Sequence, residues 1–480
     1  MTQLVRVERG RYHDSVTLMR ASAAGSGLDG VEAVIAAMAT ELNLGLLADG
    51  GFPLPEVTPD DLVVAVQADD DAAAQAAVAE VERVLAERPA AAAHGGAAVP
   101  SHTVEAALAR APEAGVVVVS VPGRYAYVEA VAAVRAGRHV MVFSDGVDVA
   151  DEVALKREAT EAGVLVMGPD CGTVILGGVG LGFANVVVPG PVGLVAASGT
   201  GAQQLCGLLD GAGVGVRHVL GVGGRDLSAA VGGVSTLAAL AMLDDDPAVE
   251  LIAVVSKPPD PAVAERVAAA AAACRTPVVL AMVGPGFPTL TEAAARISDL
   301  LGRTFGERSW WGPAPEPRPG PILGLYSGGT HCIEAIGILE ELVGPVRSNV
   351  HPDPGRRIGP DDDPAGDHVL LDLGDDELTV GRPHPMIDPT PVAERLAMAQ
   401  AGVVLLDVVL GHGAHPDPAA VFAPAIEQAG VPVGVTLVGT AGDPQGLEQQ
   451  AHALVAAGAW VHRSNAHAAR RAAATVGSRA

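Results

Sequence analysis

The sequence predicts an α/β protein, with a small α+β domain at its start and parallel-sheet units after it. Three observations carry this. From residue 101 onward, short uninterrupted apolar runs alternate with helical segments, the pattern of parallel strands covered on both faces. The same strand–helix order then runs twice, from 191 and again from 321. In each run the first strand ends in a Ser-Gly turn that opens a helix.

Residues 1–95 form the small α+β sandwich. Leu4–Glu8 and Ser15–Ala21 read as strands, Gly30–Glu41 as an amphipathic helix, Leu62–Gln67 as a strand and Ala72–Glu87 as a helix. Ala90–Pro100 is a linker. Residues 101–190 alternate strand Val116–Val121, helix Ala126–Ala136, strand His139–Ser144, helix Ala150–Ala162 and strand Val164–Met167. Residues 191–308 carry strand 192–197, helix 202–211, strand Val216–Val222, a helix near 235–243, strand Leu251–Ser256, helix 261–274 and strand 277–283. The stretch 309–320, rich in Pro and holding Trp310 and Trp311, reads as a stiff exposed linker. Residues 321–478 repeat the order: strand 322–326, helix 331–342, strand Val369–Leu373, helix 391–401, strand Val403–Val409, helix 418–429, strand Val431–Val438 and helix 445–457.

Composition narrows the function. The 480 residues suit three or four domains. The net charge of −26 repels nucleic acid and anionic membrane, and no basic patch offsets it. Cys171, Cys206, Cys274 and Cys332 have no metal-type spacing, so no zinc site or disulfide framework is expected, and a reducing, cytoplasmic setting fits. No apolar run reaches the ~18 residues of a membrane span, and the first residues lack the apolar core of a signal peptide.

The two glycine loops are one device used twice. Ser198-Gly199-Thr200-Gly201-Ala-Gln203 and Ser327-Gly328-Gly329-Thr330-His331 each follow an apolar strand and start a helix. Such a start leaves N–H groups facing outward, and the helix dipole adds positive partial charge, which suits phosphate or another anion. Ordinary strand-to-helix turns also favour Gly and Ser. As a pair in similar units, the loops predict one shared anionic site.

Other stretches carry chemistry. Asp375-Asp376-Glu377 through Arg382-Pro-His384-Pro385 follows a predicted strand. The flanking prolines stiffen the backbone and pre-aim Arg382 and His384. Arg382 suits a phosphate or carboxylate, and His384 suits a developing oxyanion or a proton transfer. Asp375, Asp376 and Glu377 could orient them or bind a metal, and Asp376 and Glu377 are candidates to bind substrate; a solvated acidic loop is the plainer alternative. His412 in Gly411-His412-Gly413 is free to meet a ligand. Lys257 is one of only two lysines and ends a strand, where it would neutralise phosphate; the other, Lys156, lies mid-helix and is expected at the surface.

Together these segments resemble the FdrA family, within the larger superfamily of succinyl-CoA synthetases, the NDP-forming acyl-CoA ligases. Val166-Met-Gly-Pro169-Asp-Cys171-Gly, Val192–Thr200 and Gly221-Val-Gly-Gly224 look like the ligase alpha subunit. Gly374–Glu377, Gly381–Asp388, Gly439–Gln445 and Ser464-Asn465-Ala look like the FdrA branch. The resemblance implies a Rossmann-like CoA-binding-type domain and two flavodoxin-like succinyl-CoA-synthetase-type domains. It also implies that Ser198–Gly201 and Ser327–Thr330 are the two helix starts that face phosphate. Val121, Pro122, Phe143, Ser144 and Asp145 match the CoA-contacting loops, so CoA is a possible cofactor.

Departures from that family matter as much. Ligases of this type carry a phosphorylated histidine in Gly-His-Ala-Gly, where this chain has Gly284-Pro285-Gly286-Phe287. Their acidic support loop is here Ser256-Lys-Pro-Pro-Asp260, and their Tyr-Glu pair is Gln203-Gln204. A phosphate cradle without a phosphoryl carrier suits direct work on an acyl phosphate. The resemblance implies oxamate carbamoyltransfer in purine and allantoin breakdown, with carbamoyl phosphate or phosphate as ligand and companion subunits as partners. The alternatives are an acyl-CoA ligase using His331 or His412 as acceptor, and a non-catalytic metabolite sensor. A homodimer is plausible, and any use of NTP needs another polypeptide.

Overall fold

The computed structural model describes residues 2–86 apart from 12, 14, 59 and 60, and residues 101–477 apart from 285, 286, 307–309, 361, 363–365, 380 and 381. The linker at Ala90–Pro100 lies outside the described residues. The chain divides into two units: Met1–Pro100 with Asp376–Pro383, and Ser101–Asp375 with His384–Ala480. Each is described by itself.

In the first unit, strand Leu62–Ala68 lies between Thr2–Glu8 and Val31–Met38, antiparallel to both. Helices Ser15–Ser26 and Asp71–Ala86 cover one face through Leu18, Ala21, Ala77, Val78 and Val81. Leu47 and Phe52 pack on the other with Val63 and Ala65. Two expectations are overturned here. Ser15–Ala21 is helix, because Leu18, Ala21 and Gly25 recur at helical spacing and face Val34 and Val81. Gly30–Glu41 contains the strand Val31–Met38 instead of a helix. Its alanines favour helix, but Val34 and Ala36 alternate inward and the largely buried neighbouring strand supplies the ladder.

The described residues of the second unit form three sheets. Val116–Val119, His139–Val142 and Val166–Met167 run parallel. A six-stranded sheet has the order Val278–Met282, Leu251–Ser256, Val192–Ala197, Val216–Gly221, Thr173–Leu176, Val179–Gly182. A seven-stranded sheet has the order Trp310–Trp311, Trp460–His462, Val433–Val438, Val403–Val409, Ile322–Tyr326, His368–Asp372, Val346–Arg347. Strands Leu251–Ser256 and Val192–Ala197 of one sheet, and Ile322–Tyr326, Val403–Val409 and Val433–Val438 of the other, run parallel and are nearly free of polar residues, because helices bury both faces. Leu194, Leu205 and Leu209 fill one such layer, and Leu406, Phe422 and Leu437 fill its counterpart.

Three further features differ from the sequence reading. The hairpin Thr173–Leu176 with Val179–Gly182 precedes residue 190, yet it extends the six-stranded sheet. Trp310–Trp311 is an antiparallel edge strand within the stretch read as linker. Lys156 is fully buried, not at the surface. Its Nζ donates to Glu152 at 2.8 Å, to Asp226 at 2.7 Å and to the Val222 carbonyl at 3.0 Å. Asp226 in turn accepts from the N–H groups of Ser235 and Thr236, so the buried charge is fully bonded. No helix among the described residues is long and apolar enough to cross a membrane.

Candidate functional site

The site is built where the middle strands of the two large sheets end. Ser198 follows Val192–Ala197 in extended conformation and caps helix Gly199–Gly211. Its Oγ accepts from Gly201 N at 2.9 Å and shares a 2.6 Å hydrogen bond with Thr330 Oγ1. Thr330 lies in the first turn of helix Gly329–Leu342. The two helix starts therefore meet head to head. A methyl on Gly328 would lie 2.6 Å from Thr200 Oγ1, and one on Gly201 would lie 3.1 Å from Thr330 Cγ2. Glycine is required at both places by this close approach, not by a special backbone conformation.

The second loop is held differently. Ser327 donates from N and Oγ to Asp407 Oδ1, at 2.6 and 2.8 Å. His331 Nδ1 lies 2.7 Å from the other oxygen, Asp407 Oδ2. Gly328 caps its helix with no side-chain bond, so the first N–H groups there lack a side-chain partner. Gly329 is pinched between Asp372 and Lys257; a methyl there would overlap the carboxylate and lie 2.7 Å from Nζ. Burial pushes the Asp372 carboxyl up to about 7, against the pull of Lys257. Asp372 thus sheds much of its negative charge near neutral pH, and Lys257 offsets the rest.

Two contacts fix the halves around this junction. Glu334, buried and raised above its usual carboxyl range by desolvation, accepts from Leu290 N at 2.7 Å and Asn465 Nδ2 at 2.8 Å. Thr291 and Ser464 share a 2.6 Å hydrogen bond across the same boundary.

His384 stands beside the second loop. Its Nδ1 accepts from Met386 N at 3.2 Å, which leaves the proton of the neutral ring on Nε2. A methyl on Gly374 would meet that Nε2 at 2.6 Å and would also overlap the Ser327 carbonyl. Burial pushes the His384 pKa down to about 4, so at pH 7 it is a neutral N–H donor. Phe183 lies 6.5 Å from the His384 ring and 5.8 Å from Phe143. A cavity of about 10 Å³, room for one water, opens among Ser327, Met386, Asp407 and Phe422.

The structure thus gathers Ser198, Gly199, Thr200, Gly201, Ser327, Gly328, Gly329, Thr330, Lys257 and His384. Gln203 is buried on the first helix. His412 is exposed, its backbone paired with Ala184. Val121, Pro122, Phe143, Ser144 and Asp145 lie together at adjacent strand ends, where Ser144 Oγ accepts from Val121 N at 3.0 Å. Asp376, Glu377 and Arg382 fall in the other unit. There Asp376 and Glu377 form the short helix Asp376–Thr379, and Arg382 is exposed with its N–H on the Thr379 carbonyl at 3.0 Å. The grouping of Arg382 with His384 stays a proposal. Sequence reading missed Asp372 and Asp407. Each is the lone acid in a strand built mainly of Val and Leu, a signal that was present.

Comparison with known proteins places these features. Residues 1–101 match a family described as AllF, heavy metal-associated domain, and residues 325–475 match one described as CoA-ligase. YahF of Escherichia coli (strain K12) is 37% identical over 495 residues, covering 95% of each chain. Succinate–CoA ligase [ADP-forming] subunit alpha 1 of Archaeoglobus fulgidus is 31% identical over 160 residues, 32% of this chain and 53% of that relative. Similar solved structures include an ATP citrate lyase from Methanothrix soehngenii in complex with citrate and coenzyme A (TM-score 0.33, 21% identity, 38% of this chain, 31% of that one). PH0766 from Pyrococcus horikoshii OT3 is another (TM-score 0.28, 16% identity, 75% and 83%). Residues 1–101 contain no cysteine, so no thiolate is available there to a soft metal. Among the described residues no cluster of three metal-ligating side chains occurs.

Proposed function

Because the chain belongs to the FdrA-like family of YahF, within the succinyl-CoA synthetase-like superfamily, we propose that it is a carbamoyltransferase subunit acting directly on an acyl phosphate. The reaction interconverts oxalurate plus phosphate with oxamate plus carbamoyl phosphate. A phosphate oxygen attacks the terminal ureido carbon, the C–N bond to the oxamate nitrogen breaks, and that nitrogen takes a proton.

One observation carries the reading. Two helix starts converge with Lys257, while the loop that carries the phosphoryl group in acyl-CoA ligases has Gly284-Pro285-Gly286-Phe287 and no histidine. Helix N–H groups and an ammonium suit the phosphate. His384, neutral and presenting Nε2–H, suits the developing oxyanion of the carbamoyl carbon better than it suits a base.

The test is carbamoyl transfer from carbamoyl phosphate to oxamate, with the companion subunits present. His384→Ala is expected to lower kcat on the order of 10²-fold while phosphate affinity stays within a few-fold. Full activity in His384→Ala would remove it from the reaction.

An acyl-CoA ligase is the second reading, favoured by the intact pairing of the Val121 and Ser144 loops. It would need another phosphoryl acceptor. His331 is wholly buried on Asp407, and His412 is exposed. Acid-labile labelling of the chain by ATP would support this reading.

A further inference from the structure

The polar groups around the first helix start do not all suit phosphate. Gln203 is 1% exposed, and its amide oxygen has no hydrogen-bond partner. It lies three residues after Thr200 and four after Gly199, so it shares their helix face. Helical side chains lean toward the N-terminus, the direction in which the turn lies. Ser256 Oγ is also buried without a partner. Ser256 pairs with Ala197 across the sheet, next to Ser198, and immediately precedes Lys257.

Phosphate at neutral pH offers mainly acceptor oxygens. It matches the helix N–H groups and Lys257 but gives Gln203 Oε1 nothing to accept. A buried acceptor left unmet costs free energy, so an orphaned acceptor beside an anion cradle calls for a ligand that carries both acceptors and an N–H donor. A carbamoyl phosphate has that pattern: three phosphoryl oxygens and one NH₂.

We propose that Gln203 is the specificity-determining residue of this site, accepting a hydrogen bond from the carbamoyl NH₂ and so selecting carbamoyl over acetyl phosphate. This inference rests on the carbamoyltransferase reading. It adds a residue and a direction of selectivity that the reading does not require. Acetyl phosphate is the matched probe, because a methyl replaces the NH₂ at nearly the same size. Sites that hydrogen-bond a substrate group reject the analogue lacking it strongly.

The experiment is titration calorimetry on the full chain with carbamoyl phosphate, acetyl phosphate and inorganic phosphate. The wild type is expected to bind carbamoyl phosphate at least tenfold more tightly than acetyl phosphate. Gln203→Met, similar in volume but without the acceptor, is expected to bring that ratio to about one while phosphate affinity changes by less than threefold. Gln203→Glu keeps an acceptor and is expected to keep the ratio while weakening both ligands. Equal binding of the two acyl phosphates by the wild type, or an unchanged ratio in Gln203→Met, overturns the role of Gln203 and leaves the cradle standing. Failure of all three ligands to bind the wild type overturns the cradle itself, and the Gln203 role with it.

Discussion

The two Ser-Gly loops share a fold position and differ in what surrounds them. In the first, Ser198 caps its own helix through Gly201. In the second, Ser327 turns away from its helix to a buried carboxylate, Asp407. The sheet registers align these places. Ser256 sits opposite Ala197, one residue before Ser198; Asp407 follows Leu406, which sits opposite Leu325, and so faces Tyr326, one residue before Ser327. The first half thus has an unpartnered hydroxyl where the second has a carboxylate with three hydrogen bonds. Both halves keep buried polar atoms without a partner, Gln203 Oε1 and Ser256 Oγ in the first and Tyr326 OH and His331 Nε2 in the second, and the first supplies Lys257. One duplicated frame has become a wall braced by a buried carboxylate and a wall without one.

The largest expected effect separates these two walls. Asp407→Ala strands His331 and the Ser327 N–H in the interior and should cost about 3–5 kcal/mol, read as a marked loss in the denaturation midpoint. Ser256→Ala, at the matching position, breaks no bond and should be near neutral. Equal losses would erase the asymmetry.

Next is the head-to-head packing. Gly328→Ala should destabilise by about 1–3 kcal/mol through overlap with Thr200. Its φ of −133 allows alanine, so the penalty is steric alone. Adding Thr200→Gly should return part of the lost melting temperature; no rescue would mean that the helix starts do not touch in solution.

A smaller effect is pH dependence. Asp372 has a folded pKa raised from 3.8 to about 7, so the folded state holds a proton that the unfolded state releases. Its contribution is full below about pH 4 and is lost as pH rises through 4 to 7, by at most about 1.4 kcal/mol per pH unit. Asp372→Asn should flatten that slope in denaturation midpoints measured across the window. His384, lowered from 6.5 to about 4, acts in the opposite sense: its contribution is full above about pH 6.5 and falls away toward pH 4.

Much of this was legible in the chain. The apolar strands of both large sheets, the repeat and the two Ser-Gly loops could be read directly, because parallel strands buried on both faces leave unbroken Val and Leu runs. The first domain was misread where alanine-rich segments fit either period, and pairing with Leu62–Ala68 decided between them. Lys156 looked like a surface lysine because its partner Asp226 is 70 residues away and local sequence carries no sign of it. Asp407 did carry a local sign, as the lone acid in Val403–Val409, but its meaning lies in Ser327 and His331, about 80 residues earlier.

The central claim, that two helix starts and Lys257 form one anion cradle for a carbamoyl phosphate, is tested most directly by thermal shift. The purified chain and its Lys257→Ala variant are each melted with carbamoyl phosphate, inorganic phosphate and CoA. A ligand at 100 times its dissociation constant stabilises the native state by about 2.7 kcal/mol, a readily measured rise. The account predicts a rise with carbamoyl phosphate and phosphate, none with CoA, and loss of both shifts in Lys257→Ala. A rise with CoA alone, or phosphate shifts that survive Lys257→Ala, would contradict it.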